Sequence, residues 1–189
     1  MSDKRIQLQK VATDAVQRSG LNNLSFRTLA DQVGVKSSSV HYYFPEKGDL
    51  AGALIENYTD DFMSKLETIE RQKKSLKQKL TSFVKIFEEV SSAEKFCLCG
   101  MMAAEIAMLN DTNRVLLSQY FNKIEDWLFE QFEKHSDQNA SDLDSRNLDS
   151  RTLARLTLSG LEGAILLDRV EAKNHRLLAQ KKLILSLIA

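Results

Sequence analysis

Serine fills three successive positions, Ser37, Ser38 and Ser39, with Lys36 before them and His41-Tyr42-Tyr43-Phe44 behind. Such a segment is small and polar at one end and aromatic at the other. It offers contact chemistry, because its leading end carries no bulk to obstruct insertion into a major groove. Catalytic material is scarcer. The chain has three histidines, and His135 and His175 show no metal-ligand spacing with the cysteines. No nucleophile-base-orienter set, phosphate-cradling glycine loop or metal cluster is visible, so an enzyme, a cofactor and a metal site are not expected. Cys97 and Cys99 are too few for a disulfide framework. Two helical positions apart they differ by about 200° around the axis and cannot bridge each other. Two readings stand for them: thiols that respond to oxidation or electrophiles, or inert buried side chains.

The elements that must position these residues are helices. One proline and seven glycines in 189 residues leave too little punctuation for a turn-rich sheet fold. Hydrophobic residues make up 43% and charged residues 28%, enough for a sizeable core inside a polar surface. The first helix is expected over about 4–19, buried along Leu8, Val11, Ala12 and Ala15, with Gly20 just past its end. Ser25 is a good N-cap for a second helix over 26–33, which Gly34 stops. Ser37 then caps a third over 38–44, which Pro45 ends. Longer helices follow over about 47–70, 76–91, 94–109, 112–134, 151–171 and 174–188. The polar segment from His135 to Ser150 reads as a loop. The N-terminus lacks an apolar signal core, and the longest apolar runs fall far short of the roughly 20 residues of a membrane span. A cytoplasmic protein is expected. Net charge is zero, yet residues 1–48 carry Lys4, Arg5, Lys10, Arg18, Arg27, Lys36 and Lys47 against Asp3, Asp14, Asp31 and Glu46, a net of +3. That mild bias is compatible with phosphate binding without demanding it.

The block from Ser25 to Lys47 is two short helices joined by a tight turn. Leu29, Ala30 and Val33 face inward, Gly34 frees the backbone, and Val35 packs beneath. With its Thr28-to-Ala30 helix, Gly34-Val35, a second helix ending in His41-Tyr42-Tyr43-Phe44, and Pro45-Glu46-Lys47, the chain resembles the TetR family of transcriptional regulators over residues 4–60. His41 stands where the family usually has its first tyrosine, and Lys36 where serine is common. The resemblance implies an all-α fold. An N-terminal three-helix helix-turn-helix DNA-binding domain (1–46) would precede a helical effector-binding and dimerisation domain (47–189). It also implies roles. Ser37, Ser38, Ser39, Tyr42 and His41 would lie at base edges and sugars, Lys36 and Lys47 would contact phosphates, and Arg27 with Thr28 would hold the opposite strand. Tyr43 and Phe44 are expected in the core.

One helix-turn-helix reads a single half-site, and twofold dimers place two recognition helices about 34–36 Å apart on a palindromic operator. The last two helices carry apolar residues around more than one face, which implies a partner copy. Leu153, Leu156, Gly160, Gly163, Ala164, Leu167, Leu178 and Leu185 are the expected dimer interface. In the resembled family the two helices form a four-helix bundle across the dimer. The segment Phe96-Cys97-Leu98-Cys99-Gly100-Met101-Met102-Ala103-Ala104-Glu105 also resembles one seen in a subset of these regulators. Phe83, Phe87, Cys97, Met101, Met102, Glu105, Phe121 and Trp127 form the expected pocket for a largely apolar small-molecule effector, while core packing is the alternative for most of them. Glu105 could orient a ligand, pair with Arg169, or lie at the surface. The expected function is a dimeric repressor released from double-stranded DNA by its effector. The alternatives are an activator, a corepressor-dependent regulator, or a helical ligand-binding dimer without DNA binding.

Overall fold

The computed structural model describes residues 3–136 and 148–188. Among the described residues there are nine α-helices and no strand: α1 (Asp3–Ser19), α2 (Phe26–Val33), α3 (Ser37–Tyr43), α4 (Lys47–Gln72), α5 (Leu76–Ser92), α6 (Leu98–Ala104), α7 (Asp111–Ser136), α8 (Ser150–Glu171) and α9 (His175–Ser186), with one 3-10 turn at Ile106–Met108. The chain divides into two compact units, one of Met1–Asp61 with Lys95–Tyr120, the other of Phe62–Glu94 with Phe121–Ala189. This division does not follow the expected boundary at residue 46. Helix α4 contributes to both units, and the segment containing α6 belongs with the N-terminal helices.

The first unit is assembled from α1, α2 and α3 around Leu8, Ala12, Val16, Leu29, Val40 and Phe44, all essentially removed from solvent. Burial of each large aliphatic side chain stabilises by roughly 1.5–3 kcal/mol. The buried stripe of α1 differs from the expected one. Val11 and Ala15 are half-buried, whereas Gln9, Val16 and Gln17 are buried, because α1 is also covered by the chain after α5. There the Gln17 side-chain amide donates to the Phe96 carbonyl at 3.0 Å, and the Phe96 N–H donates to the Gln17 carbonyl at 3.0 Å. This pairing also shortens the helix expected over 94–109. With Phe96 engaged by Gln17 and Glu94 at φ 56°, helical hydrogen bonding begins only at Leu98, where the Cys97 sulfur accepts from the Gly100 N–H.

The second unit packs α5 against α8 and α9, and α8 against α9. Its aromatic centre joins Phe62, Phe83, Phe87 and Trp127; Phe83 and Trp127 stack at 5.5 Å, and the phenylalanines meet edge-on. Ion pairs Arg151–Asp126 (2.6 Å) and Lys181–Glu88 (2.8 Å) link α8 to α7 and α9 to α5. Helix α8 starts at Ser150 under an Asp149 cap. The expected loop at His135–Ser150 is helical at both ends, and its middle, 137–147, lies outside the described residues. No helix among the described residues is long and apolar enough to cross a membrane.

Candidate nucleic-acid interface

Ser25 caps α2 as its sequence suggests: its hydroxyl accepts from the Thr28 N–H at 3.1 Å and lies 2.7 Å from the Thr28 hydroxyl. Such a cap is worth about 1 kcal/mol. Helix α2 ends at Gly34, whose φ of 70° lets the chain reverse and return the Val35 N–H to the Ala30 carbonyl at 3.0 Å. The N-cap of α3 is Lys36 rather than Ser37, and it makes no side-chain cap. Ser37 therefore stands in the first turn with its hydroxyl uncommitted to capping. Val40 and Phe44 anchor α3 inward, and the Arg5 guanidinium lies 5.5 Å above the Phe44 ring.

What remains outward on α3 is the expected surface. Lys36, Ser37, Ser38, His41 and Tyr42 are exposed, and Ser39 is half-buried; Tyr42 is 80% accessible and meets the Tyr43 ring edge-on at 5.1 Å. His41 is exposed but held, with its Nδ1 3.3 Å from the Pro45 carbonyl oxygen and its ring edge-on to Phe26 at 4.9 Å. Arg27 and Thr28 are exposed on α2. Lys47 is placed differently from the other cations. It is half-buried, and its ammonium donates to the Asn22 carbonyl at 3.1 Å. Burial lowers its pKa, while the nearby Glu105 carboxylate opposes that shift.

Glu105 lies at the end of α6 and accepts from the Leu21 N–H at 2.6 Å and from the Asn22 N–H at 3.2 Å. Close to α1, the Lys95 ammonium meets Asp14 at 2.7 Å; that hydrogen bond outweighs burial and holds the Asp14 carboxyl below its ordinary range. Sequence reasoning missed this seam, because its partners are about eighty positions apart. It also missed Asn113, which donates to the Gly48 carbonyl at 2.8 Å.

The expected pocket residues fall in both units. Phe83, Phe87, Phe121 and Trp127 belong to the second, where Trp127 Nε1 is buried without a hydrogen-bond partner; Cys97, Met101, Met102 and Glu105 belong to the first. Cys97 and Cys99 are buried, and the Cys97 sulfur lies 3.5 Å from the Tyr120 hydroxyl. Two surface grooves of about 360 Å³ each, one along Ser64, Thr68 and Ile86 and one beside Lys74, Lys77 and Gln131, are lined by none of the eight.

Among the expected dimer residues, Leu153 and Ala164 are buried within their own unit, whereas Leu156, Leu167 and Leu178 are exposed and Leu185 is half-buried. A Cβ at Gly160 would collide with the Gln180 amide, while Gly163 faces open space.

Residues 9–54 match the family described as bacterial regulatory proteins, tetR family. No curated protein matches the chain in sequence. Among solved structures, a TetR transcriptional regulator from Legionella pneumophila is 29% identical, with 100% of this chain and 99% of that chain covered at a TM-score of 0.88. A TetR-family regulator from Agrobacterium tumefaciens is 23% identical, covering 98% and 97% at a TM-score of 0.88. FadR from Bacillus subtilis, solved in complex with stearoyl-CoA, is 16% identical, covering 98% of each chain at a TM-score of 0.76. The last two share the fold. The helix-turn-helix lies inside the segment that matches the tetR family of bacterial regulatory proteins, and the chain is similar to the Legionella TetR regulator over its full length.

Proposed function

We propose that the protein is a homodimeric cytoplasmic repressor that binds a palindromic operator through α3 and is released by a small, largely apolar effector. The observation that carries this reading is the division of α3 into two faces. Val40 and Phe44 are buried, while Ser37, Ser38 and an 80% exposed Tyr42 stand outward with Lys36. An exposed tyrosine beside small hydroxyls suits base edges and sugars, and Lys36 and Arg27 suit the flanking phosphates. Pairing two such heads needs a second copy, for which the exposed apolar residues of α8 and α9 supply a face. The residues from 1 to 46 serve DNA binding in this reading, and those from 47 onward serve effector binding and pairing.

Helix α4 contributes to both units, so an effector that shifts it alters the separation of the two α3 helices. By linkage, DNA then weakens the effector by the same factor. The stearoyl-CoA complex of FadR supports an apolar effector class for this fold, as does the aromatic cluster around Phe83.

The test is selection of bound duplexes from random DNA. A palindrome is expected, with half-sites centred about one helical turn or a multiple apart. Affinity for it should fall with salt at a slope near −0.9 per phosphate neutralised. Recovery of no enriched sequence, or affinity indifferent to salt, would overturn the assignment.

A further inference from the structure

We propose that Glu105 is a positioning residue for the DNA-reading head, holding the turn between α1 and α2 and, through that turn, the first residue of α4. The inference rests on the DNA-binding reading above and adds to it a route from α6 that does not pass along α4.

The geometry begins with Gly20. At φ 86° it takes a backbone conformation that L side chains rarely adopt, and it turns the next two N–H groups, of Leu21 and Asn22, toward the end of α6. The Glu105 carboxylate accepts both, at 2.6 and 3.2 Å. A Cβ on Gly20 would come within 2.5 Å of its Oε1, so the missing side chain is what lets the carboxylate sit there. Hydrogen bonds to an ionised acceptor are roughly twice as strong as neutral ones. Two on adjacent amides fix a short segment in both position and rotation.

The captured turn is then used from its other side. The Asn22 carbonyl accepts the Lys47 ammonium at 3.1 Å, so one peptide segment is held between Glu105, the residue that caps the C-terminus of α6, and the first residue of α4. Beyond Asn22 the chain has only Asn23 and the buried Leu24 before Ser25 caps α2. Little slack separates Glu105 from the helices that carry Arg27, Thr28 and α3. Its bond to Asn22 makes the Lys47 ammonium part of this network; burial lowers its pKa and the Glu105 carboxylate opposes that shift. The Asp14–Lys95 pair and the Gln17–Phe96 bonds fasten the same segment along α1, so a displacement of α6 reaches the head as a unit.

The experiment uses the full-length protein and the duplex selected by the wild type, with a scrambled duplex of equal length as reference. Binding is measured by fluorescence anisotropy for the wild type, Glu105→Ala, Glu105→Gln, Lys47→Met and the Glu105→Ala/Lys47→Met pair. Thermal unfolding and sedimentation verify folding and assembly. Glu105→Ala is expected to weaken the selected duplex about tenfold, corresponding to roughly 1.4 kcal/mol, with little change on the scrambled one, because a misplaced head loses base contacts before phosphate attraction. Glu105→Gln, which keeps one acceptor oxygen, should lose less. Losses from Glu105→Ala and Lys47→Met should be less than additive in the double variant. Amide exchange at Leu21 and Asn22 should accelerate in Glu105→Ala. A purely structural role would lower the melting temperature without changing the ratio between the two duplexes. Wild-type affinity and specificity in Glu105→Ala, or strict additivity with Lys47→Met, would overturn the proposal. Should Glu105→Ala not fold, the cycle is run with Glu105→Gln and judged on the same coupling. Failure of the wild type to bind any duplex would instead remove the DNA-binding reading itself.

Discussion

Tyr42 projects from α3 with 80% of its surface accessible, while Phe44 two residues on is buried, so the two aromatics can be tested apart. Replacing Tyr42 by Ala removes the side chain proposed to contact DNA and almost no packing. Specific affinity should fall by an amount equivalent to about 1–3 kcal/mol, while stability changes by no more than about 0.5 kcal/mol. Anisotropy titration with the selected duplex and thermal unfolding of the same sample measure both; undiminished binding would move the reading surface elsewhere. A second contrast concerns two glycines in the left-handed region. Gly34→Ala meets no neighbouring atom and should cost only the backbone strain, about 1–2 kcal/mol. Gly20→Ala adds a collision with Glu105 to the same strain. Chemical denaturation should therefore place Gly20→Ala clearly below Gly34→Ala in midpoint. Equal midpoints would mean that the Glu105 carboxylate does not occupy the space above Gly20.

Helix α9 depends on a single carboxylate. Asp168, 1% accessible on α8, accepts from the Arg176 N–H at 3.0 Å and the Leu177 N–H at 2.8 Å, satisfying the opening donors of α9. Burial pushes its pKa up, but these backbone bonds together with His175 and the Arg176 side chain outweigh that, and the net shift is below the ordinary carboxylate value. A depressed folded-state pKa means the contribution to stability is fully present above the unfolded pKa of about 3.9. It is lost as pH falls through the lower folded value. Asp168→Ala should cost about 1–3 kcal/mol at pH 7, with the gap to wild type shrinking below about pH 4. Urea denaturation at pH 7 and pH 3.5 measures this, and a gap that stays constant would refute the role. The same scale separates what the sequence reveals from what it hides. Helices α2 and α8 are legible because their ends are local: Ser25 and Gly34 bracket one, and Ser150 and Glu171 fall within a residue of the other's expected bounds. Helix α6 was expected several residues too long, since what delays its start is Phe96 binding Gln17 across 79 positions. The surface of α3 was readable from residue types, but the place of Lys47 and Glu105 was not, because their shared partner Asn22 is distant in sequence.

Helix α8 has two apolar faces, and among the described residues only one is covered. Leu153, Leu158, Leu161 and Ile165 are buried, whereas Leu156, Leu167 and Val170 are 54%, 51% and 83% accessible. With Gly160 and Gly163 between them, Leu156, Leu167 and Val170 follow the alternating three- and four-residue spacing of a single helix face. Leu178 and Leu183 add exposed apolar surface on α9. In the proposed dimer, an apolar stripe of this kind is covered by a second copy of the chain. Charges placed there should act on assembly and not on folding, since Leu167 and Val170 contribute little to their own unit's core. The double variant Leu167→Asp/Val170→Asp should sediment as a monomer, with thermal unfolding still cooperative. Its binding to a palindromic duplex should then match its binding to a duplex carrying one half-site, because a single head gains nothing from the second site. Wild type should prefer the palindrome by at least about 10²-fold if the two heads act as a linked pair. A double variant that remains dimeric, or keeps that preference as a monomer, would show that the exposed face of α8 is not what joins the two heads.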